Sequence, residues 1–214
     1  ASFQGAEIDD LQMLLEKTTK PFDYAYLNDV MTIPTDENLA RWIRENINLS
    51  VESIGVQSTQ NQGVDIDHEG HAHLWYRFQF EAAHCLPNVP EGHQCGRMHG
   101  HSFEVILHAQ QPRNDSDIGV DYDWLAKTWQ PIQDQLNHSC LNDIEGLENP
   151  TSEMIAKWIW GNLYNRIPCL SWVSVYETRT GGCHYDGSDF RIWKQQRFEA
   201  ATMLGHAPTS DPRQ

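Results

Sequence analysis

The sequence predicts an α+β protein built on an antiparallel sheet, and two observations favour this class. Two stretches, 74–84 and 102–110, alternate apolar and polar residues with the period of two that strands have. Farther along the chain, apolar residues recur at spacings of three and four, as on one face of a helix. The order strand, strand, helix, helix, strand is typical of an α+β fold with an antiparallel sheet.

The segment 112–119 follows the second strand, is polar and rich in structure breakers, and predicts a turn. A helix is then predicted to begin at Asp121. Pro131 falls inside it and is expected to kink it or to mark an irregular turn. The predicted buried stripe of this helix consists of Leu125, Trp129, Ile132 and Leu136.

The second helix is predicted to begin at Thr151, a good N-cap, with Glu153 placed favourably in the first turn. Its predicted buried stripe consists of Ile155, Trp158, Ile159 and Leu163.

A third strand is predicted at Leu170–Thr178, where Glu177 shares one face with Val173 and Val175. A carboxylate at the end of an apolar face is costly unless it is paired, so Glu177 is expected to face a ligand or a partner. A further strand is expected near 183–192, and the rest of the chain to residue 214 is expected to be a polar tail.

The composition argues against several classes of protein. The 214 residues carry a net charge of −15, with a pI of about 5.0, which disfavours a surface for nucleic acid or an anionic membrane. No apolar run reaches the length of a transmembrane helix, and no signal peptide is expected. The five cysteines lack the spacing of a disulfide framework, which predicts reduced thiols in a cytoplasmic protein.

Three histidines and a cysteine form the candidate metal site. His99 and His101 are two residues apart, so on a strand their side chains project from the same face. His84 ends the preceding strand, and pairing of the two strands would bring its imidazole beside the others. Three protein nitrogens with a fourth position open describe a catalytic zinc site. Cys95 lies in the loop 87–98 that passes over this site, where a nearby dication lowers a thiol pKa and favours action as a base or nucleophile.

The other histidines receive structural interpretations. His68, His71 and His73 have a spacing that could bind a metal, but they lie in a polar linker, and a solvated connection is favoured. His93 and His108 are expected at the surface.

Two short motifs occur twice in the same order. Leu27-Asn28-Asp29 repeats as Leu141-Asn142-Asp143, an offset of 141 − 27 = 114, and the run from Pro34 repeats from Pro150, an offset of 150 − 34 = 116. Order that is kept while the offset grows slowly is typical of a diverged duplication. The sequence therefore predicts that residues 1–66 are the degenerate C-terminal half of a duplicated module and that 67–214 are a complete module with a polar tail.

The first copy lacks residues that carry chemistry in the second. Tyr24 stands where the second copy has His138, and Ser58 stands where it has Glu177. A structural role is favoured for the first copy. The alternative is that Asp23 or Tyr24 completes a site in a neighbouring copy.

The block FEAAHCLPNVPEGHQCGRMHGHSF at 80–103 resembles the 6-carboxytetrahydropterin synthases of the 6-pyruvoyltetrahydropterin synthase family. The resemblance continues through Leu141-Asn142-Asp143, through LENPTSE at 147–153 and through Glu177-Thr178, and it covers residues 75–188. It implies the tunnelling fold, in which sheets with two helices on one face join edge to edge into a barrel. It also implies a homo-oligomer whose active sites lie at subunit interfaces.

The implied activity is the zinc-dependent conversion of 7,8-dihydroneopterin triphosphate to 6-carboxy-5,6,7,8-tetrahydropterin, acetaldehyde and triphosphate, on the route to queuosine and other 7-deazapurines. Two alternatives stay open. One is 6-pyruvoyltetrahydropterin synthase, which eliminates triphosphate without releasing acetaldehyde. The other is a zinc-containing pterin-binding protein with little catalysis.

The resemblance also implies roles for individual residues. His84, His99 and His101 would hold Zn²⁺, Cys95 would move protons as a base, and His138 would be its relay partner.

Four further residues are assigned to the pterin substrate. Glu177 would anchor the pterin through its amino and ring N–H groups, a bidentate match for a carboxylate. Thr151 and Glu153 would border the pocket, and Arg97 is a candidate for the triphosphate, a plain surface arginine being an equal alternative.

The sequence departs from the family at Asn137, where an aspartate is usual. An asparagine can accept a hydrogen bond from the imidazole of His138 but cannot stabilise its charge.

Overall fold

A computed structural model describes the chain over residues 7–111, 119–167 and 169–201 and at residue 210. Within these ranges it forms five α-helices and eight β-strands. The helices are α1 (Glu7–Thr19), α2 (Leu27–Val30), α3 (Asp36–Asn46), α4 (Tyr122–Leu136) and α5 (Ser152–Leu163). The strands are β1 (Ile54–Thr59), β2 (Gln62–Ile66), β3 (Ala72–His84), β4 (His99–Gln110), β5 (Ser139–Cys140), β6 (Leu170–Thr178), β7 (Gly181–Tyr185) and β8 (Phe190–Lys194). The predicted turn at 112–119, except residue 119, and most of the polar tail lie outside the described residues.

All the described strands belong to one sheet, with β1, β2, β3, β4, β6, β7 and β8 as successive antiparallel neighbours. The predicted α+β class with an antiparallel sheet is confirmed, and the two-residue β5, which pairs in parallel with β3, is the exception. Strand β4 begins at His99, three residues before its predicted start, because β3 pairs with it as far as His84 opposite His99.

One face of the sheet packs against the helices. Helix α4 lies on β3, α5 on β6 and β7, and α3 on β1 and β2. The inward face of β4 is formed by Phe103, Val105 and Leu107, all fully buried. Burial of this apolar face is the main stabilising contribution to the module. None of the helices in the described part of the chain is long and apolar enough to cross a membrane.

Both predicted helices, α4 and α5, are present. The side chains of Asp121 and Thr151 cap α4 and α5 by accepting the backbone N–H groups of Trp124 and Met154. Helix α4 buries its whole predicted stripe, whereas Trp158 of α5 is only partly buried.

Of the two alternatives predicted at Pro131, a kink or an irregular turn, the irregular turn is absent from the described helix α4, which continues through this residue. A proline removes one N–H group from the helix, and the burial of Trp129 and Ile132 on either side holds the remaining turns in place.

The single strand expected near 183–192 is instead a hairpin of β7 and β8. Its turn at 186–189 is closed by Asp186, whose Oδ1 accepts the backbone N–H groups of Ser188 and Asp189 at 2.9 Å and 2.8 Å. Residues expected to begin the tail therefore extend the sheet.

The strands around the two ends of the sheet repeat one another. Val56 of β1 pairs with Val64 of β2, and Val175 of β6 pairs with Cys183 of β7, an offset of 175 − 56 = 119. Each pair of strands has a register shift at the equivalent place, between 57 and 59 and between 176 and 178.

The next strand repeats as well. Gly63 of β2 lies opposite Trp75 of β3, and Gly182 of β7 lies opposite Trp193 of β8. A Cβ atom on either glycine would come within 2.6 Å of the tryptophan ring, so both positions require glycine for the same close approach.

Two non-glycine residues have positive φ among the described residues, Tyr24 at 54° and His138 at 58°. These are the two positions that correspond in the predicted duplication. The backbone therefore takes the same left-handed turn before α2 and before β5.

The sheet face away from the helices carries His108, which was predicted to be a surface residue but is buried. Its ring stacks on Trp172 at 4.4 Å between ring centroids. The hydroxyl of Ser174 lies 3.2 Å from Nε2 of His108 and 2.6 Å from Nδ1 of His184. Burial, followed by the charges of His184 and His73, holds the pKa of His108 well below its usual value.

Because the folded protein keeps His108 neutral, the unfolded chain binds a proton below pH 6.5 that the folded chain does not, and stability falls as the pH falls. In His108→Phe, which retains the stacking on Trp172, the decline between about pH 6.5 and pH 5 should be shallower by up to about 1.4 kcal/mol per pH unit. Urea unfolding of the metal-free protein at a series of pH values measures this slope. The exposed His68→Phe serves as a control, and an unchanged slope in His108→Phe would contradict the prediction.

Candidate metal centre

Pairing of β3 with β4 brings three imidazoles together at one end of the hairpin. His84 lies directly opposite His99, and His101 lies opposite Ala82 on the neighbouring pair. The ring centroids are 4.5 Å apart for His84 and His99, 5.2 Å for His84 and His101, and 4.9 Å for His99 and His101.

Backbone carbonyl groups set the tautomers of two of these rings. Nδ1 of His84 lies 2.9 Å from the carbonyl oxygen of Pro150, and Nδ1 of His99 lies 2.7 Å from that of Arg97. A carbonyl oxygen only accepts, so each Nδ1 carries the proton and each Nε2 presents a lone pair. This is the state in which an imidazole binds a metal.

Glu177 completes the group. Its Oε1 lies 3.1 Å from Nε2 of His101 and 3.5 Å from Nε2 of His84, and its Oε2 accepts the hydroxyl of Ser152 at 3.2 Å. The two Nε2 atoms are buried and have no partner in hydrogen-bond geometry among the described residues. When Nε2 of His84 carries a proton in place of a metal, its contact with Oε1, against the effect of burial and with further help from His101, lowers the pKa of Glu177.

Ligand atoms from these four residues all lie within 4.8 Å of one another, so the group could hold a metal ion. Of the three histidines expected in a polar linker, His73 is instead buried in β3. Nδ1 of His71 and Nε2 of His73 lie 3.4 Å and 3.2 Å from Oδ2 of Asp67.

A cavity of about 730 Å³ opens beside the metal group. It brings together most of the sequence-predicted site residues. Its walls include Cys95, Arg97, His99, His101, Thr151, Glu153 and Glu177.

Cys95 is held in place by the backbone of its loop. It lies in a short 3₁₀ helix, Gln94–Gly96, and its carbonyl oxygen accepts the N–H of Leu86 at 2.8 Å. Nδ1 of His93 accepts the N–H of Cys95 at 3.2 Å. His93 therefore helps to fix the backbone of this loop. The sequence analysis had predicted only that His93 is a surface residue.

Asn142 also holds the site in place, a role that the sequence analysis did not predict. Its side chain accepts the N–H of Cys85 and donates to the carbonyl oxygen of Cys85, both at 2.8 Å. These two bonds fix the backbone directly after His84, at the point where the loop leaves the metal group.

His138 lies apart from the cavity of its own chain. It is exposed and is not among the residues that line the cavity. The amide Oδ1 of Asn137 accepts the N–H of Glu81 at 2.9 Å. The asparagine therefore anchors the loop to β3, where the sequence had suggested contact with the imidazole.

The fold and the site together define an α+β protein with a three-histidine, one-glutamate group that could hold a metal ion beside an open cavity. Residues 73–188 match the family model described as 6-pyruvoyl tetrahydropterin synthase, and the chain belongs to this family. The matched part begins in β3 and ends after β7, so it contains the whole metal group and excludes β8.

Two relatives of this chain are named for different reactions, a synthase and an aldolase. The chain is 39% identical over 119 residues to the 6-carboxy-5,6,7,8-tetrahydropterin synthase of Synechocystis sp., covering 52% of this chain and 91% of that protein. It is 31% identical over 99 residues to the dihydroneopterin monophosphate aldolase of Pyrococcus furiosus, covering 45% of this chain and 79% of that protein. Among solved structures, the 6-pyruvoyl tetrahydropterin synthase of Caenorhabditis elegans matches at a TM-score of 0.46 and 20% identity, covering 58% and 95% of the two chains.

Proposed function

We propose that this protein converts 7,8-dihydroneopterin triphosphate to 6-carboxy-5,6,7,8-tetrahydropterin, acetaldehyde and triphosphate. The observation that carries the proposal is the placement of Cys95 in the same cavity wall as His99, His101 and Glu177. The similarity to the Synechocystis synthase over 91% of that protein supports the choice of reaction. Assignment to queuosine biosynthesis and to the cytoplasm stays a prediction.

The metal in this proposal is Zn²⁺, held by His84, His99 and His101. Nitrogen ligands suit zinc, and a catalytic zinc site has three protein ligands with a further position open. The inward-facing Nε2 atoms fit this set, since the Nδ1 atoms of His84 and His99 are occupied by carbonyl groups. Lewis acidity is the chemistry that zinc supplies when it is bound.

The side chains of the cavity would divide the remaining work. Cys95 would remove and return protons on the substrate side chain. The ionised Glu177 would accept hydrogen bonds from the pterin amino and ring N–H groups. Thr151 and Glu153 would border the pterin, and Arg97 would contact the phosphate chain.

The proposed relay role of His138 requires an oligomer. His138 is exposed and lies outside the cavity of its own chain, so it would have to reach the cavity of a neighbouring subunit. We therefore propose a homo-oligomer, joined edge to edge through the sheet, whose active sites lie between subunits.

The duplication enters as a second proposal. Residues 1–66 would be the degenerate C-terminal half of one module and 67–214 the complete module. The repeated register shifts and the left-handed Tyr24 and His138 support it. A hydrogen bond between corresponding positions also supports it, with donor and acceptor interchanged. Ser152 donates to Glu177 in the second module, and Ser58 donates to Asp36 in the first.

The reaction is tested by incubating the zinc-loaded protein with 7,8-dihydroneopterin triphosphate and identifying the products by mass spectrometry, with chelator-treated protein as the control. We expect carboxytetrahydropterin and acetaldehyde, and neither after chelation. Formation of 6-pyruvoyltetrahydropterin would assign the other synthase reaction. Turnover of dihydroneopterin monophosphate alone would favour an aldolase, and pterin binding without turnover would identify a binding protein.

A further inference from the structure

Strand β8 lies beyond residue 188, where the match to the family ends, and it has a counterpart within the chain. It pairs with β7 through Gly182 opposite Trp193, just as β3 pairs with β2 through Gly63 opposite Trp75. At the equivalent place, β3 is the first strand of the following module. Strand β8 therefore covers the edge of β7 in the way that the first strand of a further module would.

Three residues of β8 line the same cavity as the metal group: Ile192, Trp193 and Lys194. The strand is anchored by Trp193, whose ring lies against Gly182 and at 4.3 Å and 5.1 Å between centroids from His184 and Tyr176. The wall of the cavity opposite the histidine hairpin is thus built by a segment that the family match does not include.

The register of the sheet places Lys194 on the metal side. Ile192 pairs with Cys183, which faces the core, and side chains alternate along a strand, so Ile192 and Lys194 share that face. Lys194 pairs with Gly181, and Gly181 pairs with Thr178, directly after Glu177. Two strand spacings separate Lys194 from Thr178, about 10 Å.

The side chain of Lys194 is held by its neighbours at the start of β7. Its Nζ donates to Oγ1 of Thr180 at 3.0 Å, and a Cβ atom on Gly181 would lie 3.2 Å from its Cδ. The glycine therefore leaves the space that the lysine stem occupies.

Charge identifies what this lysine would contact. The protein has a net charge of −15, and Arg97 and Lys194 are the two basic residues of Lys or Arg type among those that line the cavity. A substrate with a phosphate chain requires cationic donors at the site where it binds.

We propose that Lys194 binds the phosphate chain of the substrate and that β8 is the wall that presents it, an inference that rests on the proposed function. The pterin ring would lie at Glu177, and the phosphates would extend across β7 toward β8. The ligand class for this subsite is an oligophosphate ester.

The test uses two ligands that differ in phosphate alone, 7,8-dihydroneopterin triphosphate and 7,8-dihydroneopterin. Dissociation constants are measured by titration with the zinc-loaded protein, residues 1–214, carrying Cys95→Ala to prevent turnover. Lys194→Met is expected to weaken binding of the triphosphate about 10-fold or more and to leave binding of dihydroneopterin unchanged. Lys194→Arg should restore most of the affinity. Lys157→Met, at an exposed lysine of α5, should change neither constant.

Each other outcome is decisive. Unchanged affinity of Lys194→Met for the triphosphate would overturn the inference, and equal weakening for both ligands would show that Lys194 is structural. Failure of the parent protein to bind either ligand would overturn the proposed function, and this inference with it.

Discussion

Replacing His84 with alanine is expected to lower the affinity for zinc at least about 100-fold, because changes in the residues that merely orient metal ligands already cost 10- to 100-fold. His84 is fully buried, its Nδ1 is held by the carbonyl of Pro150, and its Nε2 faces Glu177 and the other imidazoles. The measurement is a competition titration of the metal-free protein with a chromogenic chelator, together with the zinc content of the purified protein.

A buried substitution can also destabilise the fold, so the comparison needs two further variants. His101→Ala removes a more accessible ring of the same group, with 24% of its side chain exposed, and should show a similar loss of zinc. His68→Ala removes a histidine of the linker, with 70% of its side chain exposed, and should bind zinc as the parent does. Parent-like affinity in both His84→Ala and His101→Ala would refute the metal assignment.

The second large effect is expected for Cys95→Ala, which should lower kcat by about 10²- to 10⁴-fold, the range typical of a lost general acid or base. Zinc content and pterin affinity should be unchanged, because Cys95 lies in the cavity wall and is absent from the group that could hold the metal. Steady-state turnover of dihydroneopterin triphosphate, followed by acetaldehyde release, gives the rate.

Cys85→Ala is the matched control. Cys85 is also a free thiol beside the metal group, but its bonds to Asn142 are made by its backbone N–H and carbonyl, which an alanine retains. Parent-like turnover is expected there. If Cys95→Ala also turned over at the parent rate, the base would have to be another residue of the cavity.

Local pattern was sufficient for the strands and helices predicted between residues 74 and 178 and for part of the site. The strands β3 and β4, the stripe of α4 and the caps at Asp121 and Thr151 depend on residues a few positions apart, and each is present. The burial of β4 on both faces, which includes His108, was not predicted. The two-residue spacing of His99 and His101 placed both rings on one face for the same reason.

Features that depend on residues far apart in the chain could be predicted from the sequence only in part. The duplicated motifs indicated that the chain contains related halves, but they did not reveal that β7 and β8 repeat the pairing of β2 and β3. The sequences of β8 and β3 have few residues in common. The two strands are alike in their pairing register and in the glycine that lies against each tryptophan.

The sequence by itself therefore determined the class of fold, the family and the three histidines that lie together in the metal group, and it predicted the role of Cys95. Only the tertiary structure decided that Glu177 faces His84 and His101, that His138 lies outside its own cavity, that His108 is buried under Trp172, and that Lys194 joins the cavity wall. The contacts of Glu177 and of His108 depend on the pairing of strands far apart in the chain, and the placement of Lys194 depends on the hairpin of β7 and β8. Periodicity within a strand fixes which face a side chain takes, but the register between strands selects its neighbours.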